Sequence, residues 1–333
     1  MRVVILSART GWHTDELCRA LAGRQHTSVV LPYEGLRARL GVTIGTSGTG
    51  GTAGTGRESG TTGDLSSGRT AILDADAVLA RIIPNGSLEQ IIYRVDALHW
   101  IEARGVPVMN SPRAIERSVD KFYTTALLQE AGLPTPETIV CEGADDAMDA
   151  VRAMLGRRRP GEAGGDVIIK PIFGSMGHGL VRVSDPDVAF RVVRSLEQVR
   201  AVFYVQRAID HGGRDVRAFV VGGRVLGAIE RRAPEGEWRT NVSRGGSARA
   251  FTLPPEWETL ALSAAAAVGA DYAGVDLLPS REGGVFVLEV NGIPGWQGLQ
   301  QATGLDVAAA IVTHLERRVG RVPAGSRVAE SPA

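Results

Sequence analysis

The chain has 333 residues, 44% of them apolar and 22% charged, which is enough for two or three cooperating domains, each with its own core. Its 37 basic side chains balance 37 acidic ones, so no overall field draws it to nucleic acid or to an anionic membrane, and neither partner is expected. The two cysteines, Cys18 and Cys141, lie far apart and outside any CxxC spacing, which argues against a disulfide framework or a thiolate zinc site and points to a reducing, cytoplasmic setting.

The opening MRVVILSARTGW holds an apolar run too short for a secretory leader and reads as a first β-strand. An amphipathic segment over 15–22, the strands TSVVLP and DAVLARI, a helix over 88–103 and the strand VPVMN follow, an alternation that predicts a small open α/β sheet over 1–110. Within it, residues 41–69 are almost all Gly, Thr and Ser. They carry too few apolar side chains to offset their ordering entropy, so a disordered insert is expected.

A second unit begins near Ser111. Ser118 is placed to cap a helix through DKFYTTALLQEA, with Gly132 and Pro134 beyond its end. The strand TIV, a helix over 145–155 and the loop GRRRPGEAGG come next, the loop's arginines reading as a solvated turn. The strands VIIKPI and LVRV, a helix over 188–200, and the strands FYVQRAI, VRAFVV and RVLGAIERR follow. A helix over 256–269, the hairpin AGVDLLPSREGGVFVLEVN, a helix over 306–318 capped by Asp306 and a loose tail over 321–333 complete the chain. These elements divide into a central domain over 111–200 and a C-terminal one over 201–320. The longest near-apolar stretch, 260–270, falls short of the roughly 20 residues a membrane span requires.

The hairpin carries the first chemical signal. A turn centred between Glu282 and Gly283 sets Asp276 opposite Glu289, and the strand period of two adds Asn291 to the same face. Two carboxylates roughly 5 Å apart repel by about 3 kcal/mol at an effective dielectric near 20. Either a hard cation such as Mg²⁺ compensates them, or one acid reaches solvent or pairs with an arginine.

The second signal is VIIKPIFGSMGHGLVRV, in which Lys170 closes a strand before a loop spaced by Gly174, Gly177 and Gly179. Such a loop lets backbone N–H groups approach phosphate oxygens, though it lacks the Walker ending, and a plain hairpin turn explains the glycines equally. Arg217, Arg231, Arg232, Arg239 and Arg244 cluster between loop and hairpin, suited to holding phosphates or carboxylates by bidentate bonds.

The segments RDVRAFVVGGRVLGAIERRAPEGEWRTNVSRGG, AGVDLLPSREGGVFVLEVNGIPG and GLQQATGLDVAAAIVTHL resemble the RimK-type ATP-grasp ligases, which attach glutamate to an acceptor carboxylate. The likeness extends more thinly through SVDKFYTTALLQEAGLPTP to the N-terminal strand. It implies an ATP-grasp fold, α/β (α+β) in class, behind a small Rossmann-like N-terminal domain. It implies ATP and Mg²⁺ or Mn²⁺, two ions, held by Asp276, Glu289 and Asn291. Lys121 and Lys170 would meet the nucleotide phosphates, and the loop of Gly174, Ser175, Met176 and Gly177 would close over them. Gln206 and Arg207 would line the adenine pocket, where many relatives carry Glu at the second position, and Asp215 would meet the ribose. Arg239, Thr240 and Asn241 would face the phosphates, with Arg217, Arg239 and Asn241 acting on the transferring group.

The implied partners are L-glutamate, a carboxylate-bearing acceptor and further copies of the chain in a homo-oligomer. The form NGIPGWQGLQ is similar to that of ligases that glutamylate a pterin coenzyme of the tetrahydromethanopterin type. Trp296 and Gln297 would line the acceptor pocket, unless Trp296 belongs to the core. A ligase for another amino acid or a peptide, and a nucleotide-binding regulator without catalysis, remain the alternatives. A kinase is disfavoured because no HRD-type loop or DFG motif is present.

Overall fold

A computed structural model describes residues 1–41, 63–156, 165–173, 179–240 and 245–320. It divides into two compact units, residues 1–112 with 315–333, and residues 113–314. The Arg157–Arg159 run, His178 and the tail over 321–333 lie outside the described residues.

In the first unit, β1 (Arg2–Leu6), α1 (Trp12–Ala22), β2 (Thr27–Leu31), β3 (Leu36–Arg39), β4 (Asp64–Ser67), β5 (Thr70–Ala71), β6 (Ala77–Ala80), α2 (Leu88–Ala103) and β7 (Val108–Met109) follow in order. Strands β2-β1-β6-β7 form a parallel sheet, the open α/β architecture expected from the alternating pattern. Ser87 and Gln90 close a capping box that starts α2.

The expected disorder over 41–69 fails at its C-terminal end. Asp64–Ser67 pairs antiparallel with Leu36–Arg39, and Leu65 is fully buried. Leu65 is the one large apolar residue of Asp64–Ser67, and burying it in a small three-stranded sheet offsets the local ordering entropy.

The second unit runs through α3 (Pro112–Val119), α4 (Lys121–Glu130), β8 (Thr138–Cys141), α5 (Ala144–Gly156), β9 (Val167–Pro171), β10 (Val181–Val183), α6 (Pro186–Gln198) and β11 (Phe203–Arg207). It continues with β12 (Arg214–Val221), β13 (Arg224–Arg232), β14 (Ser247–Ala250), α7 (Pro255–Val268), β15 (Tyr272–Pro279), β16 (Val285–Asn291), α8 (Gln297–Thr303) and α9 (Val307–Arg318). The order β10-β9-β11-β8 makes one sheet and β14-β13-β12-β15-β16 another. α5 and α6 cover the first through Val151, Met154, Ala189 and Val193. α7 covers the second through Ala261, Ala264, Ala265 and Val268, and ends at Gly269 in the left-handed conformation that favours glycine.

Two expectations change here. The boundary at 200/201 falls one strand early, because Phe203–Arg207 pairs with β8 and β9 in the first of these sheets. Ser118 caps no helix: α3 already runs through it, its hydroxyl donates to the Ile115 carbonyl, and Asp120 caps α4 by accepting from the Tyr123 N–H. The Ser118 side chain instead packs against Gly292, where a Cβ would collide with it. The last helix is capped by Asp306, which accepts from the Ala309 N–H at 2.9 Å. Among the described residues, no helix is long and apolar enough to cross a membrane.

Candidate functional site

The hairpin register brings Asp276 opposite Glu289 and Gly274 opposite Asn291, as expected, but by a different route. Nearer the turn the pairing is shifted by one residue, with Leu277 opposite Val287, and a β-bulge between the two stretches restores the register. The bulge reverses the alternation of β16. Val287 and Val290 both face the α7 core, so Leu288 and Glu289 both line the cleft on the other side. Strict alternation from Val287 would bury Glu289 and Asn291 against α7. The same alternation along β12, β13 and β15 puts Val216, Ala218 and Val275 in the core and turns Asp215, Arg217, Arg231 and Asp276 to the cleft.

The other wall comes from the four-stranded sheet and α4. Lys170 on β9, Gln206 on β11 and Lys121 at the start of α4 line the cleft, which encloses about 1060 Å³ of atom-free space, part of it open to solvent. Arg207, Asp215, Arg239 and Thr240 line it as well, so the structure gathers the described residues expected at the nucleotide and metal site except Gly179, at the loop's far end, while Arg232, Trp296 and Gln297 do not line the cleft. Gly174, Ser175, Met176, Gly177, Asn241 and Arg244 lie outside the described residues.

A buried ladder of charge crosses the five-stranded sheet. Thr240 Oγ1 donates to Asp215 at 2.7 Å, and Arg231 grips the same carboxylate through Nε and Nη2 at 2.7 and 2.6 Å. Arg231 Nη2 also lies 3.0 Å from Asp276 Oδ2. Asp276 in turn holds Arg217, with Nε to Oδ1 at 2.6 Å and Nη2 to Oδ2 at 2.7 Å. Burial pushes the Asp276 carboxyl up, but Arg217 and Arg231 outweigh it and hold the group at about 2. Arg232, placed in the same cluster by sequence, points to the other face and bonds Glu230 with Arg214 and Arg249.

The phosphate side carries fewer charges and is also largely buried. Lys170 is only 7% exposed, donates to Gln206 Oε1 at 3.1 Å and sits 4.6 Å above the Tyr204 ring. Gln206 Nε2 donates to Thr138 Oγ1 and to the Tyr204 hydroxyl, which also meets Thr125. Burial lowers the Lys170 ammonium to about 8, with Glu289 opposing the shift and Lys121 adding to it. Lys121 is also lowered, by burial, against Glu289 and Asp120. These mutual effects bring Glu289 from one wall and both lysines from the other into one field. They are the only lysines among the 37 basic residues.

Two other arginines are already committed. Arg207 grips Glu137 through Nε and Nη2 at 3.0 and 2.8 Å, and Arg239 grips Glu237 at 3.0 and 2.7 Å while lying 5.6 Å from the Trp238 ring. Trp296 is 1% exposed and packs edge-on against Phe219, so it belongs to the core and does not line an acceptor pocket. Arg231 was expected only as one of the clustered arginines, and it does hold a carboxylate in a bidentate grip, whereas Tyr204 and Trp238 were given no role from sequence. Tyr204 was findable, since the period of two in FYVQR puts it on the face of Gln206.

A hard divalent cation is the group this kind of fold implies, and the donors suit it in part. Glu289 accepts no hydrogen bond from any described residue, and Asn291 donates to the Gly274 carbonyl at 3.4 Å, leaving its amide oxygen available. Asp276 has its oxygens engaged by guanidinium groups. A cation coordinated there would stand within about 4 Å of Arg217, a repulsion of about 8 kcal/mol at an effective dielectric near 20. The set therefore fits the ion once Arg217 gives way.

The fold of the chain is shared with solved structures. The chain superposes on ATP-grasp ligase PsnB, complexed with a phosphomimetic variant of its minimal precursor, Mg and ADP, with a TM-score of 0.65 at 20% identity, over 95% of this chain and 98% of that one. This defines the ATP-grasp fold class. The family model for the RimK-like ATP-grasp domain matches residues 118–315. The tetrahydromethanopterin:alpha-L-glutamate ligase of Methanosarcina acetivorans is 35% identical over 279 residues, 76% of this chain and 83% of that one. A probable alpha-L-glutamate ligase of Trichodesmium erythraeum is 37% identical over 248 residues, 74% of this chain and 80% of that one. The chain belongs to the RimK-like ATP-grasp family and is a ligase that forms carbon–nitrogen bonds.

Proposed function

We propose that the protein uses ATP and Mg²⁺ to join L-glutamate to an acceptor carboxylate, releasing ADP and phosphate. The observation that carries this reading is Glu289 on one wall of the cleft within the field of Lys121 and Lys170 on the other. A triphosphate lying between them meets ammonium groups on one side and, on the other, oxygen donors suited to a divalent ion. Asp276, Glu289 and Asn291 are the residues that would hold Mg²⁺, which when bound neutralises charge on the phosphates.

Lys121 and Lys170 bind and orient the nucleotide phosphates. Gln206 and Arg207 edge the base and Asp215 faces the ribose. The acceptor carboxylate attacks the γ-phosphorus and ADP leaves; the glutamate amine then attacks the carbonyl carbon of the acyl phosphate, gives up a proton and displaces phosphate, leaving an amide. Arg217 and Arg239 stabilise negative charge on the transferring group, and positioning of the two substrates beside ATP supplies the rest without a protein nucleophile. The relative from Methanosarcina acetivorans supports a pterin coenzyme of the tetrahydromethanopterin type as acceptor, and this is the acceptor we favour.

The test is to incubate the purified protein with Mg-ATP, glutamate and candidate acceptors, following ADP, phosphate and product mass. ADP release that needs both glutamate and acceptor, with a product one glutamyl unit heavier, is expected. AMP and pyrophosphate, or a stable phosphate ester, would refute the reading, and a preference for a peptide or another amino acid would redirect it. Glu289→Gln should lower turnover on the order of a hundredfold or more.

A further inference from the structure

Arg217 occupies the oxygens of Asp276 that a divalent cation would need, in a bidentate grip at 2.6 and 2.7 Å. Asp276 and Glu289 are direct cross-strand neighbours, so some positive charge must relieve them in every state of the site. In the structure described, a guanidinium does so. Of the two arginines on Asp276, only one is free to leave. Arg231 is 5% exposed and clamped to Asp215 as well, whereas the Arg217 side chain is 21% exposed and, among the described residues, bonds to Asp276 alone.

The Arg217 stem is packed over the backbone of the neighbouring strand. It crosses Gly274, where a Cβ would lie 3.4 Å from its Cδ and 3.5 Å from its Nε, while Pro294 closes the other side at 3.1 Å. Glycine there leaves the backbone surface clear beside the guanidinium.

We propose that Arg217 is a built-in counter-ion that holds the place of the divalent cation on Asp276, and that the arriving cation releases it into the cleft to meet the reacting phosphoryl group. The inference rests on the metal role of Asp276 and Glu289 proposed above. It assigns Arg217 two sequential partners, a carboxylate before the metal binds and a phosphoryl group after. It also explains how two opposed acids persist in a fold that must exist without its metal. Arg231 stays in place throughout and keeps Asp276 oriented.

The test is Mn²⁺ binding to the full-length protein without nucleotide, read as loss of the free-ion electron paramagnetic resonance signal. Arg217→Gln should bind Mn²⁺ about tenfold or more tightly than wild type, although the same variant loses ligase turnover. Arg217→Lys keeps the charge but cannot span both oxygens, so it should gain by a smaller factor. No gain in Arg217→Gln would overturn the inference, and so would a gain in Arg217→Gln with none in Arg217→Lys, because charge alone would then explain it. If Glu289→Gln leaves wild-type Mn²⁺ binding unchanged, the metal reading itself fails, an outcome separate from failure of the exchange. A crystal structure with Mn²⁺ and a non-hydrolysable ATP analogue gives a second readout: Asp276 should touch the metal with Arg217 withdrawn, and an Arg217 still clamped to a metal-bound Asp276 would overturn the proposal.

Discussion

Replacing Lys170 with methionine should stabilise the protein while destroying its affinity for nucleotide. Burial lowers the Lys170 ammonium from the ordinary 10.5 to about 8, so carrying that charge at pH 7 costs about 3 kcal/mol of folding free energy. Methionine removes the cost and fills a similar volume. Against this stand the hydrogen bond to Gln206 and the contact with the Tyr204 ring, worth about 1 kcal/mol each.

The net gain at pH 7 is therefore about 1 kcal/mol, a rise of roughly 2–4 °C in melting temperature for a unit of this size. The sign depends on pH. The folded-state value lies below the unfolded one, so the unfolded chain binds more protons between pH 8 and 10.5, and wild-type stability climbs with pH through that window. By about pH 9.5 the charge cost has fallen to about 1.4 kcal/mol and the wild type should be the more stable protein. Urea titrations at pH 7 and pH 9.5, with and without an ATP analogue, measure both effects. A Lys170→Met protein less stable than wild type at pH 7, or one that the analogue stabilises as much as wild type, would refute the reasoning.

Removing the centre of the charge ladder should act oppositely. Arg231→Leu leaves Asp215 and Asp276 buried with fewer partners and should cost about 3–5 kcal/mol at neutral pH, a loss visible in urea unfolding and reduced as the medium is acidified. Asp276 is held at about 2 against an ordinary 3.8, so its contribution of about 2 kcal/mol is complete above pH 3.8 and disappears as pH falls through 2. Subtracting the acid-unfolding curve of Asp276→Asn from that of the wild type should isolate that window, and a difference centred near pH 5 would contradict it. Trp296→Ala should cost about 3–5 kcal/mol through the cavity it leaves, with little change in the Michaelis constant of the acceptor in the residual folded enzyme. A large rise in that constant with stability intact would return Trp296 to the binding site.

The sequence by itself determined the elements whose causes are local. The helix over Leu88–Ala103 and the strand Arg224–Arg232 have the bounds their periodicity and flanking turns predict, and Asp306 caps the helix it precedes. The family was equally legible, because its motifs are runs of consecutive residues. The cleft-lining candidates followed from strand parity and from that resemblance, since alternation needs no knowledge of what packs on either face.

What only the tertiary structure decided depends on groups distant in the chain. The bulge in β16 exists because Val287 and Val290 must both reach the core under α7, and that demand cannot be read from VFVLEVN alone. Asp120 displaced Ser118 as a helix cap once Ser118 was needed against Gly292. Leu65 found a strand partner in Leu36–Arg39 across a stretch rich in Gly and Thr, and Trp296 went to the core beside Phe219. The arginine that meets the opposed acids is Arg217, 59 residues from Asp276 in sequence and its direct cross-strand neighbour. Electrostatic and packing partners of this kind are fixed by distance in space, and the pattern along the chain encodes only which face each side chain takes.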